Sequence, residues 1–149
     1  MHIEKRLEEL GIQLPSPVQP LATYVRYVQT GNLLFISGTG PSKHHSNGKL
    51  GSGLSVDEGY AAARDVGISL IATMKEALGD LDRVKRVVKL LGMVNSAPDF
   101  ADQPKVINGC SDLMVEVFGE AGRHARSAVG FVALPNQIAV EIEVIVEVG

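Results

Sequence analysis

Two side chains have the type and setting to do chemistry on a small acid. Arg126 opens the run ARSAVGFVAL directly after a Gly- and His-containing loop, where a guanidinium can reach across a sheet edge and grip a carboxylate with two parallel N–H donors. Glu141 lies in the middle of IAVEIEVIVEV, where a partly desolvated carboxylate could order a water or move a proton. Taken alone, each also fits a plainer reading: a solvated surface arginine, and a strand glutamate like Glu143 and Glu147.

Other chemistries find less support. His2, His44, His45 and His124 show no helical pairing, no His-Glu-x-x-His and no carboxylate clustering, so the residues point to no metal site. ISGTGPSK lacks the Gly-Lys-Ser/Thr ending of a phosphate loop, and no Gly-x-Ser-x-Gly elbow exists. The single Cys110 excludes an internal disulfide framework and a multi-cysteine zinc site. Arg83, Lys85, Arg86 and Lys89 read as a solvated face. With a net charge of −3, 5% aromatic residues and no Trp, the composition disfavours nucleic acid as a partner.

These residues must be positioned by the elements around them. A short helix over 2–10, ended by Gly11, precedes the Pro-rich LPSPVQP leader. Strands are expected over 23–29 and 33–38, joined by a tight turn at Thr30-Gly31-Asn32. Residues Thr39 to Gly53, rich in Gly, Ser, Lys, His and Asn, read as an exposed, mobile loop. Ser55-Val56-Asp57-Glu58 is a capping box that opens a long amphipathic helix, which Gly79 ends. RVVKLLGMV, 86–94, reads as an inner strand, and Asn95 to Asp102 breaks it. Ile107, Cys110, Met114, Val117 and Phe118 share one face of a second long helix, terminated by Gly119. The turn Pro135-Asn136-Gln137 separates the two last strands.

In the final strand Ile138, Val140, Ile142, Val144, Val146 and Val148 alternate with Glu141, Glu143 and Glu147, so the apolar row must lie on the helices. The order β-β-α-β-α-β-β describes an α+β sheet with two long helices on one face. With 149 residues the chain is read as one domain, 1–149, made of a helix-and-proline leader (1–20) and a core (21–149). No element is left to cover the second face of the sheet, so a symmetric oligomer is expected to bury it and to create clefts between subunits. The charged N-terminus and the lack of a long apolar run point to a cytoplasmic protein with no membrane partner.

Three segments carry a family resemblance. The stretch ARSAVGFVALPNQIAVEIEVIV, the hairpin TYVRYVQTGNLLFISGTGP and the segment DFADQPKVINGCSDLM together resemble the signature of the Rid family, the reactive intermediate deaminases also called YjgF or L-PSP endoribonuclease-like proteins. The match spans about residues 20 to 148, with its motifs in the family's order. The resemblance implies a chorismate-mutase-like homotrimer with three clefts between subunits. It further implies hydrolysis of reactive enamines and imines, such as 2-iminobutanoate and 2-iminopropanoate, to a 2-oxo acid and ammonia, without a cofactor or metal. By the same resemblance Arg126 binds the substrate carboxylate and Glu141 holds or activates the water. Tyr24, Ser37, Gly38 and Asn108 line the cleft. This chain differs in carrying Ala128 where the best-known deaminases have Cys, in a longer loop from Lys43 to Gly53, and in its N-terminal helix. Two other readings accompany the deaminase: a trimeric binder of small carboxylates without turnover, and the endoribonuclease of the older family label.

Overall fold

The computed structural model describes residues 2–17, 19–20 and 22–149. Met1, Val18 and Leu21, which fall in the expected leader and at the start of the core, lie outside the described residues. The elements are α1 (His2–Glu9), β1 (Tyr27–Thr30), β2 (Leu33–Thr39), β3 (Lys49–Leu50), β4 (Gly53–Leu54), α2 (Val56–Leu78), β5 (Val84–Asn95), α3 (Gln103–Phe118), β6 (Ala125–Phe131) and β7 (Val140–Val148). Local signals set the ends of α2. Ser55 Oγ accepts from Glu58 N while Glu58 Oε1 accepts from Ser55 N, and Gly79, at φ 78°, closes the last turn onto Lys75 O. No helix among the described residues is long and apolar enough to cross a membrane.

Five strands form one sheet in the order β1-β2-β7-β5-β6, antiparallel throughout except for the parallel pair β5 and β6. The last two strands are therefore not neighbours, although only a short connection separates them. Helix α3 returns the chain to the same end of the sheet, so β6 runs parallel to β5 on its outer side. Residues 132–139 then cross the end of β5, and β7 enters between β5 and β2. Asn95, fully buried at that end, braces the crossing. Its backbone N–H donates to Ala139 O (2.9 Å), and its side-chain amide donates to Gln137 Oε1 and Ile138 O (both 3.2 Å).

Two expectations about the first half of the chain need correction. The first strand begins at Tyr27, not at residue 23. The β2–β7 register slips by one between Ile36 and Thr39, and at that bulge Ser37 leaves the ladder to hold the incoming chain, its N–H on Arg26 O (2.8 Å) and its Oγ on Val25 O (2.7 Å). The loop from Thr39 to Gly53 is not a plain exposed loop either. Residues 42–47 are mostly exposed, but Leu50 is fully buried against Gly59 and the Lys49 ammonium donates to Asn95 Oδ1 (2.8 Å) and to Val132 O. Lys49–Leu50 and Gly53–Leu54 pair as a short parallel ladder. One buried leucine and one tethered lysine anchor a segment whose composition is otherwise that of a loop.

The hairpin turn is the two-residue loop Gly31-Asn32, with positive φ (58°) only at Gly31, the pattern of a type II′ turn. The core lies between one face of the sheet and α2 with α3, and it buries Val140, Ile142, Val144, Val146 and Val148 as the alternation requires. Cys110 is fully buried within it, and burial pushes its thiol up to about 12 against a pull in the other direction from Arg126. Helix α1 joins this core through the buried Leu7, its first amides (His2 and Ile3) donating to the Asp82 carboxylate at 2.9 Å.

Small residues let α2 and α3 approach closely. Gly59, Ala63 and Gly67 recur every fourth residue on α2, and Gly109 of α3 meets the α2 backbone so tightly that a Cβ there would overlap Tyr60 O. A side-chain rotation cannot relieve an overlap with backbone. Gly109→Ala is expected to force the helices apart and destabilise the fold by about 1–3 kcal/mol, as overpacked cores do, which thermal unfolding would read as a lower Tm. An unchanged Tm would mean that the helix contact is looser than described.

Candidate functional site

Arg126 lies on the edge strand in register with Leu90 of β5, whose side chain is fully buried beneath the helices, so Arg126 projects toward α3. Its Nη1 donates to Asn108 Oδ1 (2.7 Å) and to Ser111 Oγ (3.1 Å), two residues one turn apart on α3. Both Nη1 protons are thereby used. Among the described residues, Nε and Nη2 make no hydrogen bond and no carboxylate pairs with Arg126. The Nε and Nη2 edge therefore keeps two N–H donors side by side, the pair that a carboxylate accepts with both oxygens.

Behind Ser111 stands His124, half buried. Its Nε2 lies 2.9 Å from Ser111 Oγ and its Nδ1 lies 2.6 Å from Gly122 O. Burial lowers its basicity, Arg126 lowers it further, and the bond to Gly122 opposes both.

The second group of residues lies at the bulge. Because Ile36 pairs with Val144 and Thr39 with Ile142, Ser37 and Gly38 together oppose Glu143. The Glu141 carboxylate folds over Gly38 so closely that a Cβ at that position would overlap Oε2, and glycine is what leaves room for it. Partial burial raises the Glu141 pKa above its ordinary value, and the neighbouring Glu143 charge adds to the shift. Tyr24 precedes the Val25 carbonyl that Ser37 holds, and it is 54% exposed.

The expected site residues thus fall into two separate groups within the chain. Arg126 and Asn108 are in contact, as are Gly38 and Glu141, and Ser37 ties the Tyr24 segment to the second group. Arg126 and Glu141 do not meet. Glu141 alternates with the fully buried Val140 and Ile142 and so faces away from the helices, whereas Arg126 faces α3. The row of Arg126 runs through Leu90 to Val144, two strand spacings or about 10 Å across the sheet, and Glu141 lies three residues further along β7. Sequence reasoning missed Ser111 and gave His124 no role beyond a dismissed metal ligand. The signals were the Asn108-to-Ser111 spacing of one helical turn, and the i, i+2 relation of His124 to Arg126 at the start of an extended strand.

The fold is an α+β domain of the chorismate-mutase-like kind, with a mixed sheet carrying its helices on one face. Residues 4–146 match the family described as "YjgF/chorismate mutase-like, putative endoribonuclease". The chain is 49% identical to Protein TCP17 of Trypanosoma cruzi over 99% of its own length and 94% of that protein. It is 44% identical to Atu1372 of Agrobacterium tumefaciens, a solved structure of unknown function, with a TM-score of 0.92 and coverage of 99% and 92% of the two chains. Similarity extends at 27% identity to the solved RidA of an Antarctic Psychrobacter, with a TM-score of 0.60 over 89% of this chain and 94% of the other. The chain belongs to the YjgF/Rid family.

Proposed function

We propose that this protein hydrolyses reactive 2-imino acids, the tautomers of 2-enamino acids, to 2-oxo acids and ammonia. The observation that carries the reading is the Arg126 guanidinium, anchored on neutral acceptors through Nη1, with Nε and Nη2 making no hydrogen bond among the described residues. A planar carboxylate fits that edge, and 2-imino acids carry one beside the reacting carbon. Once the carboxylate is clamped, an iminium carbon is electrophilic enough that placing water and moving protons suffices.

In the proposed reaction the water oxygen bonds to C2 while the C=N π pair moves onto nitrogen, and the Glu141 carboxylate takes a water proton. The carbinolamine then receives that proton on nitrogen. Its hydroxyl oxygen forms the C2=O bond as the C–N bond breaks, ammonia leaves, and the hydroxyl proton ends on the ammonia as ammonium. A carboxylate with raised proton affinity is a better base toward water, and that is the direction in which burial and Glu143 move Glu141.

Since Arg126 and Glu141 face opposite sides of one sheet, the complete site requires a second copy of the chain. The helix-free face is suited to receive one. It bears a groove of about 370 Å³ lined by Val28, Phe35, Leu91 and Ile145 with Lys89 and Glu143, while Val129 and Phe131 stay exposed on the β6 edge. Seating the β6 edge of one copy on the helix-free face of the next generates a heterologous contact, and threefold closure completes a ring with three sites. Light scattering is expected to report about three times 15.9 kDa. A stable monomer at micromolar concentration would remove the joint site.

The deciding experiment generates 2-aminoacrylate or 2-iminobutanoate in situ and compares 2-oxo acid release with and without the protein. Accelerated release is expected. The separation of Arg126 from Glu141 favours one second reading, in which the trimer binds small carboxylates without turnover; equal release rates combined with carboxylate binding would support it. A parallel RNA incubation tests the endoribonuclease reading, against which the net charge of −3 and the absence of Trp weigh.

A further inference from the structure

The way Arg126 is held assigns roles to two residues behind it. Gly122 O can only accept, so the 2.6 Å contact places the proton of a neutral His124 on Nδ1 and leaves Nε2 bare. A bare Nε2 accepts from Ser111, whose hydroxyl proton is therefore directed backward. The Ser111 oxygen then turns its lone pairs forward, where Arg126 Nη1 donates. The chain runs one way: Arg126 to Ser111, Ser111 to His124, His124 to the Gly122 carbonyl. Its far end is rigid, because Gly122 is buried so closely against α3 that a Cβ on it would overlap Met114 O. The lowered basicity of His124, caused by burial and by Arg126, agrees with a neutral ring.

We propose that His124 and Ser111 are positioning residues that aim the Arg126 guanidinium at its carboxylate ligand through this one-way hydrogen-bond chain. The inference rests on the reading of Arg126 as a carboxylate clamp. An arginine with no counter-charge among the described residues would otherwise swing with its full rotamer freedom, and two directed neutral acceptors restrict that freedom without competing for the ligand as an acidic partner would. The chain should therefore govern ligand affinity and KM more than the chemical step.

The test uses the full-length protein and 2-oxobutanoate, the product of 2-iminobutanoate hydrolysis, as the binding probe. In wild type, 15N NMR of the imidazole at neutral pH should show the neutral Nδ1–H tautomer of His124. His124→Leu and Ser111→Ala should each weaken 2-oxobutanoate binding about tenfold, as expected for loss of support to a charged hydrogen-bond donor, with kcat changed far less than KM. His124→Gln, which returns an acceptor near the Nε2 position, should recover most of the affinity, and that recovery separates aiming from mere folding. Should His124→Leu fail to fold, Ser111→Ala with the NMR assignment decides the matter. An Nε2–H or cationic His124, or unchanged affinity in Ser111→Ala, would overturn the inference while leaving the clamp intact. Failure of wild type to bind 2-oxobutanoate would instead overturn the clamp and the inference with it.

Discussion

Glu141→Gln is expected to lower turnover of 2-imino acids by about 10²–10⁴, the usual contribution of a positioned general acid or base, while 2-oxobutanoate still binds. Gln keeps the size and the packing over Gly38 but cannot carry a proton between water and nitrogen. Rates must be taken at saturating substrate and corrected for spontaneous hydrolysis, since these imines react with water unaided. Glu147→Gln is the control, because Glu147 lies on the same face of β7 but at its far end, where its carboxylate accepts from Asn32 Nδ2 (3.3 Å). Near-equal rates for wild type and the Glu141 variant would sink the catalytic role and leave the binding reading in front.

The same substitution should stabilise the fold at neutral pH, and the sign follows from linkage. Burial and Glu143 hold the folded-state pKa of Glu141 above its ordinary 4.5, so between the two values the folded protein retains a proton that the unfolded chain has lost. Stability from this group is complete below about 4.5 and is lost as pH rises through the folded value. The Gln variant has nothing to lose over that window. Its Tm should exceed that of wild type at pH 7.5, with the gap closing near pH 4. A gain in stability alongside a loss of turnover is the mark of a group kept for chemistry and not for the fold.

Arg126→Lys should weaken carboxylate binding by about 2–5 kcal/mol, the cost of truncating one partner of a desolvated pair, with the fold surviving. Lysine preserves the charge but offers a single ammonium in place of two parallel donors, and one ammonium cannot hold Asn108, Ser111 and both carboxylate oxygens at once. The fold should tolerate the change because Arg126 makes no ion pair among the described residues and its partners are neutral acceptors. Titration with 2-oxobutanoate and steady-state kinetics both read this effect. Unchanged affinity would return Arg126 to the role of a surface arginine.

Much of the scaffold was legible because its signals are local. The capping box at Ser55, the terminating glycines Gly79 and Gly119, and the turn at Gly31-Asn32 each act within about four residues, so their meaning does not depend on the rest of the chain. The alternation in β7 was equally readable, since a strand buried on one face only must place every second residue in the core. Arg126 and Glu141 were singled out by residue type and setting, Gly38 and Asn108 only through the family resemblance, so the sequence alone determined which side chains are candidates for chemistry.

Where those side chains point was decided only by the tertiary structure. Strand order depends on pairings between residues far apart in sequence, and β6, an edge strand with no clean alternation of burial, carries no pattern that would place it beyond β5 instead of beside β7. That placement turns Arg126 toward α3 and leaves Glu141 on the opposite face, a separation that no local spacing encodes. Leu50 was misread because one apolar residue within a polar loop is buried by its contact with Gly59, not by any periodicity of its own. The bulge that brings Gly38 under Glu141, and the serine and histidine that hold Arg126, likewise arise from contacts between distant segments, whose geometry exists only once the sheet and its helices have packed.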